Sequence, residues 1–486
     1  MTWSLRTLVF CFALFASTAH AQVSVNPFAT APALRAERGE TPDAHYRARY
    51  EVIGGETPEL AITAADDWAL VETSDGARLF DFRLGRILEL RTAESAFISY
   101  NLASHVAFRV MERQNRLYIA TVIAQLSPTM AGDGCDAETE LGIVIPSLSD
   151  AGAAALHRDG AVQSLQCNGR IVGSFEIDDG AAPPRAFWPA LRATMTVHPA
   201  LYAALVETAH APRRLEATYR FGGGDTATSH TWRLIAVESV STPYPLDAAF
   251  ANITAQTMDS EIAPGIGAVA ASAIDGSAFG GAYTLERWNA YVAQTGRTDG
   301  PAAAALLLSV SLNMFPDLVT ACTSGARHAA CEPIRNLGNL VQSDVAVRAM
   351  RDIIVAEQDG DPAAAVPAMR SVQGTRFASH PALGASYALA LIGGGDAVLR
   401  QAQAAGLPSD PTPLQIAALR AYPYAAGYWT DFGDRFAVNY QYPQAYWLYD
   451  VAASLPVPAA HQGPPLSKQQ FLARLRQDFP AFFLAR

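Results

Sequence analysis

The hydrophobic period changes once along this chain, and that change bounds the folds open to it. From Tyr46 to about Tyr100 apolar residues alternate with polar ones in short runs, such as "HYRARYEVI" and "ARLFDFRL". A period of two is the signature of strands. In "ARLFDFRL", Leu79, Asp81 and Arg83 alternate with Phe80, Phe82 and Leu84; "SDG" (Ser74–Gly76) turns the chain before it, and Gly85 breaks it before "RILELRT". Short strands with turn chemistry between them predict an antiparallel meander. From Leu285 onward the texture is Ala-rich segments of about a dozen residues, punctuated by Asp, Pro and Gly. The expected class is therefore α+β: a mostly antiparallel β domain over 44–250 with a packed helix, then an all-α array of helical hairpins over 284–486.

Within the β part, residues 104–126 switch to helical spacing through Val106, Val110, Leu117 and Thr121, with Glu112 and Arg116 placed to pair. "ELGIVI" (Glu140–Ile145) reads as a strand, as do "GRIVGSFEID", "RRLEATYRF" and "HTWRLIAVESV". The last two are joined by "GGGDTATS" (Gly222–Ser229). A phosphate loop would need Gly-Lys-Ser/Thr opening a helix. This stretch has no Lys and leads into another strand, so it is a hairpin loop. Pro243 and Pro245 close the β region. Residues 251–283 are Gly/Ala-rich and read as a linker, with a close-packed helix of small residues left open for 260–283. In the helical part Asp344 and Asp396 are placed to cap helix starts, and Gly406 to end one.

The first 21 residues read as a secretory signal. Arg6 is the lone charge before an apolar core, Leu8–Ala16, and Ala19-His20-Ala21 is a small-x-small cleavage site. A lipoprotein signal would need Cys at the cleavage point, and Cys11 lies inside the apolar core instead. Cleavage after Ala21 leaves Gln22 first and a periplasmic or secreted protein. Residues 22–43 carry Pro27, Pro32 and Pro42 and read as a mobile lead-in. No later stretch has eighteen uninterrupted apolar residues, so no transmembrane span is expected. The formal charge is −11, and loss of Arg6 makes it −12. Nucleic acid and anionic lipid surfaces are poor partners for such a chain.

Removing Cys11 leaves Cys135, Cys167, Cys322 and Cys331. An even number in an oxidising compartment points to two disulfides. The sequence-local pairing, Cys135–Cys167 and Cys322–Cys331, keeps each bridge within one part of the chain. A metal site in "CTSGARHAAC" is excluded by ligand count and spacing, and neither metal nor cofactor is expected.

The densest feature is "YWTDFGDRFAVNYQYPQAYWLYDVAASLP" (Tyr428–Pro456), with nine aromatic residues. Trp429 is followed by Phe432-Gly433, Phe436, Ala445, Tyr449 and Ala452 at the spacings of a tetratricopeptide repeat, with Pro456 one residue early. Gly433 and Ala445 would let two helices approach, and Phe436 and Tyr449 would fill the groove. "DAVLRQAQAAGLP" echoes the second half. Residues 340–486 thus resemble a tetratricopeptide-like array, which implies a stacked scaffold whose concave face binds peptides or proteins. More faintly, "LFDF", a Gly turn, "RILEL", "AFISYNL" and "WRLIAVESVSTPYPL" resemble the half-barrels of periplasmic lipoprotein carriers. That resemblance implies a curled sheet enclosing an apolar pocket over helices.

Local motifs for catalysis are missing. There is no His-Glu-x-x-His and no Gly-x-Ser-x-Gly; "GASYA" (Gly384–Ala388) lacks the second Gly. Asp66-Asp67 and Asp178-Asp179 point to opposite strand faces. "EQDGDP" lacks the later ligands of a calcium loop. Asp431 and Asp434 share a helix face beside Tyr428 and Trp429, and these four are the partner-contact candidates. The leading expectation is a non-catalytic envelope binding or scaffold protein whose helical array engages a protein or peptide. The alternatives are a periplasmic carrier of a lipid or other apolar ligand, or a hydrolase without a recognisable motif. A deep pocket between the sheet and helix 104–126 would favour the carrier. An exposed aromatic-acidic groove in 420–450 would favour the scaffold.

Overall fold

The computed structural model describes residues 26–484 apart from 56, 108, 113–133, 143–153, 221–225, 282, 315–338 and 457–462. The signal segment, Cys322 and Cys331, the first half of the 222–229 loop and the later part of helix 104–126 lie outside the described residues.

The architecture is α+β. Among the described residues its sheet has twelve strands: β1 (Ala44–Ile53), β2 (Glu59–Ala64), β3 (Trp68–Thr73), β4 (Gly76–Asp81), β5 (Arg86–Arg91), β6 (Ala96–Asn101), β7 (Ala155–Asp159), β8 (Val162–Cys167), β9 (Arg170–Ile177), β10 (Pro212–Arg220), β11 (Ala227–Thr242) and β12 (Thr254–Ala255). Their spatial order is β12-β6-β5-β4-β3-β2-β1-β11-β10-β9-β8-β7. The meander of β1–β6 is as the alternation predicts. It joins the second meander through the antiparallel pairing of β1 with the long β11. β10 and β11 are antiparallel neighbours, as expected for the strands flanking the Gly-rich loop.

Both faces of the first meander are buried, so its alternation separates two cores rather than core from solvent. Tyr50, Ile62, Val71, Phe80, Ile87 and Tyr100 enter the large core shared with the helices. Trp68, Leu70, Leu79, Leu88 and Phe97 enter a smaller core on the other side.

The segment expected to be a mobile lead-in covers this second core. Helix α1 (Ala31–Arg38) is capped by Thr30 and stopped by Gly39, whose φ is 72°. It buries Ala31 and Leu34. Arg38, fully buried, donates to Asp81 (2.8 Å) and to Asp67 (2.5 Å). Asp81 also accepts from the Tyr244 hydroxyl at 2.7 Å and from the Leu84 amide at 2.8 Å. Residues 104–107 and 109–112 are helical, as the spacing predicts. Glu140 and Leu141, expected in a strand, end helix α2 (Gly134–Leu141). Two short helices follow on the large-core side, α3 (Phe187–Ala193) and α4 (Pro199–Glu207). Cys135 and Cys167 form the expected disulfide, which ties α2 to β8.

The 251–283 segment packs. β12 pairs in parallel with β6, and α5 (Ile266–Ile274) buries Ile266, Ala270 and Ala273. The helical part continues with α6 (Leu285–Thr298), α7 (Pro301–Met314), α8 (Val345–Gln358), α9 (Ala365–Ser371), α10 (Pro381–Ala404), α11 (Pro411–Ala421), α12 (Ala426–Val438), α13 (Tyr442–Ser454), α14 (Gly463–Asp478) and α15 (Pro480–Phe483). Neighbours in sequence pack as pairs, α6 with α7, α8 with α9, α10 with α11 and α12 with α13. Asp344 caps α8 through the amides of Ala346 and Val347. The backbone leaves helical angles at Gly395 (φ 55°, ψ −155°), so α10 is two helices meeting at a kink, and Asp396 is the first residue of the second, one position past the expected cap. After α10, Gly406 adopts φ 69°, and Leu407 N–H returns to the Ala402 carbonyl at 3.0 Å, closing a Schellman motif. By length and hydropathy α10 is the one described helix that could cross a bilayer. It buries Leu383, Tyr387 and Leu391 against its neighbours, so its apolarity serves the core.

A buried ion pair joins the two parts. Arg86 of β5 donates to Asp450 of α13 at 2.5 Å and to Ser99 Oγ at 3.0 Å. Burial pushes the Asp450 carboxyl up, while Arg86 and hydrogen bonds with Asn101 pull it down. Arg86→Met strands a buried carboxylate, and the expected cost is roughly 3–5 kcal/mol in chemical denaturation. Adding Asp450→Leu should restore most of that loss. His380, ahead of α10, is pushed down by burial from 6.5 to about 4. Between those pH values the unfolded chain binds a proton there that the fold does not, so stability rises with pH through that window. His380→Gln should flatten the slope, read as denaturation midpoints inside and above the window.

Candidate functional site

The aromatic hairpin packs as its spacing predicts, and for that reason it does not form a contact surface. A Cβ built on Gly433 of α12 would lie 2.5 Å from Tyr449 Cε1 and 3.2 Å from the Ala445 carbonyl oxygen of α13. The helices meet at that glycine, with the Tyr449 ring in the groove. Trp429 is fully buried, and its indole N–H donates to the Pro423 carbonyl at 2.6 Å. Tyr428 is 6% exposed, and burial raises its phenol pKa. Asp431 and Asp434 are half-buried; Asp434 accepts from the Tyr449 hydroxyl. The space beside Tyr428 and Asp431 is about 10 Å³, too small to hold a ligand. The four contact candidates therefore belong to the interior and flank of the hairpin, and among the described residues no exposed aromatic-acidic groove forms around them.

A larger space lies on the large-core face of the first meander, with a volume of about 740 Å³. Ligand sites typically span roughly 300–1,000 Å³. Leu60, Val71, Phe80 and Trp232 are apolar or aromatic side chains in its wall, each at most 5% exposed. Strand register sets them together: Val52 of β1 lies opposite Trp232 of β11, and Val71 of β3 opposite Arg78 of β4. On the helix side the wall is Ala193 and Thr194, at the end of α3, and Thr196. A pocket between the sheet and helix 104–126 was the expected mark of a carrier; residues 113–126 lie outside the described residues, and among the described ones the helix side of this space is the end of α3.

Charged side chains ring the space. Arg78 and Glu89 face each other across β4 and β5, and the Tyr100 phenol bonds to Glu89. Arg91 is paired with Glu261. Burial pushes the Glu261 carboxyl up, but hydrogen bonds from Arg91 and Ser260 outweigh it and hold the carboxyl below its ordinary range. Glu94 accepts from Gln256 Nε2 at 2.9 Å, and Asp75 from Ser74 Oγ at 3.0 Å. None of these residues was singled out from sequence. The available signal was parity: Arg78 shares a face with Phe80, and Glu89 with Ile87, so the apolar face of one hairpin carries a charge on each strand.

Buried titratable groups elsewhere serve the fold. His198 and Glu138 meet at 3.0 Å, both buried. Such a pair resembles half of an acid–base relay, but His198 Nδ1 accepts the Ala200 amide at the start of α4. Both ring nitrogens are therefore committed, and none is left for a nucleophile. Arg192 reaches the Val197 and Gly142 carbonyls and lies over the Tyr202 ring at 4.5 Å. Among the described residues no cluster of His, Cys, Asp and Glu could hold a metal ion.

Comparison with protein-family models, with curated proteins and with solved structures finds no match to this chain. The class defined by fold and site is an α+β protein with a mixed apolar and charged cavity on its sheet.

The close approach at Gly433 gives a direct test of the hairpin. Gly433→Ala should cost about 1–3 kcal/mol by overpacking, and Tyr449→Leu in the same chain should recover part of it, read as denaturation midpoints.

Proposed function

We propose that this protein is an exported, non-catalytic carrier or binding protein that holds an amphipathic small molecule in the sheet cavity. The observation that supports this reading is the space of about 740 Å³ walled by Leu60, Val71, Phe80 and Trp232. An apolar molecule of moderate size gains roughly 25 cal/mol for each Å² it removes from water there. The charged rim favours an occupant with a polar end. In this reading the helical array braces the sheet through Arg86 and Asp450, and the faint likeness to periplasmic carriers is one of architecture. Export rests on the signal-like first 21 residues.

A second reading has its own observation. The space between α8 and α9, about 500 Å³, is lined by Val345, Val355, Ala356 and Pro367 with Asp352, Asp359 and Asp361. Val355 is 42% exposed. A tetratricopeptide-like array would take a peptide at such a groove.

Native mass spectrometry of the protein, purified gently from its own export compartment, should show a bound small-molecule adduct. The neutral dye N-phenylnaphthylamine should brighten with the purified chain. Ala193→Trp, which places an indole at the helix-side wall, should remove both signals without moving the denaturation midpoint. Dye binding unchanged in Ala193→Trp would sink the cavity reading and turn attention to the α8–α9 groove.

A further inference from the structure

We propose that the interior of the helical array binds one ordered water molecule, at a site where α10, α11 and α12 meet. The inference goes beyond the carrier reading and does not depend on it. The site is the space of about 10 Å³ lined by Ala385 and Leu389 of α10, Gln415 and Ala418 of α11, and Tyr428 and Asp431 of α12. That volume is about one water probe. It excludes a ligand of several atoms and admits a single water, provided that polar groups line it.

Two buried polar groups in that lining have no protein partner. Gln415 is 5% exposed, and its Nε2 meets no acceptor. Tyr428 is 6% exposed, and its hydroxyl has no partner at hydrogen-bond distance. Ser309 of α7 lies near that hydroxyl, but it gives its own hydrogen to the Leu306 carbonyl at 2.8 Å. Buried groups of this kind are costly when left dry, and native proteins satisfy nearly all of them with protein or ordered water. The Gln415 amide is also fixed in direction. Its Oε1 accepts from Arg435 Nη1 at 3.4 Å, and Arg435 is itself paired with Asp410 at 3.7 Å. The nitrogen is therefore the end left for the space.

The chemistry of the lining names the occupant. The Gln415 N–H needs an acceptor, whereas the Asp431 carboxylate takes hydrogen bonds and gives none. A metal cation offers the amide no lone pair. An anion offers the carboxylate no hydrogen. Water does both, and its remaining capacity meets the Tyr428 hydroxyl, which can give or take. About three hydrogen bonds result, the usual number for a buried water. The bound molecule joins α11 to α12 beside α10, so two of the residues singled out from sequence, Tyr428 and Asp431, hold solvent inside the array.

The test counts long-lived internal waters in the full chain by magnetic relaxation dispersion of the solvent, with circular dichroism confirming the fold of each variant. Gln415→Leu with Tyr428→Phe removes the two unpartnered groups. Ala418→Val fills the space and leaves both groups in place. Each variant should lose one long-lived water relative to the unsubstituted chain. A crystal structure of the unsubstituted protein should show one water within roughly 2.7–3.2 Å of Gln415 Nε2 and of an Asp431 carboxylate oxygen. A count unchanged in a folded variant overturns the inference. Electron density that lacks a water at this site overturns it, and so does density that refines as a metal ion. If the double variant does not fold, Ala418→Val and the crystal structure carry the test between them.

Discussion

Asp81 and Arg86 are cross-strand neighbours on one hairpin, and between them they hold both ends of the described chain. Asp81 takes Arg38 from the N-terminal helix, together with the Tyr244 hydroxyl. Arg86 takes Asp450 from the C-terminal array. Each charge would be costly alone in a dry interior, so each demands its partner. The turn between them fits the same arrangement: Gly85 has φ 66°, and a Cβ there would crowd the Arg476 guanidinium at 3.2 Å. A four-residue turn thereby fixes where α1, α13 and α14 can lie.

The cavity is a by-product of that packing. Two cores press on the first meander from opposite sides, and each helix that covers the large-core face must satisfy the same strands. The end of α3 reaches over β2 and β3, and beyond Thr196 the wall gives way to charged side chains. A sheet buried on both sides normally carries apolar residues on both sides. Arg78 and Glu89 depart from that rule where the cover stops, which is why polar and apolar chemistry share one space.

Much of this was legible in the sequence because it depends on neighbours close in the chain. The strands of the first meander, the Asp344 cap, the Gly406 stop and the approach of α12 to α13 at Gly433 all follow from spacing of a few residues. Class, two-part layout and the Cys135–Cys167 bridge followed as well. What failed depended on distant partners. Thr30, Pro32 and Gly39 spelled a helix, yet three prolines suggested a lead-in, and only the contact of Arg38 with Asp81 explains why it is ordered. Glu140–Leu141 had strand-like residues but closes a helix tied by a disulfide to β8. Tyr428 and Trp429 were legible as aromatic but not as buried, because their cover comes from elements such as the Pro423 turn and α7. A pocket on the sheet was only implied by a resemblance, and none of its lining residues could be named, since the wall draws on β1 to β5, β11 and the end of α3.

The Arg86–Asp450 pair spans 364 residues, and that separation has a consequence for how the protein is made. A sheet whose central hairpin carries a buried cation cannot close with its charge matched until the counter-charge, 364 residues further along, has been made. The pairing of β1 with β11 adds another long loop to be closed first. Synthesis therefore runs well ahead of folding.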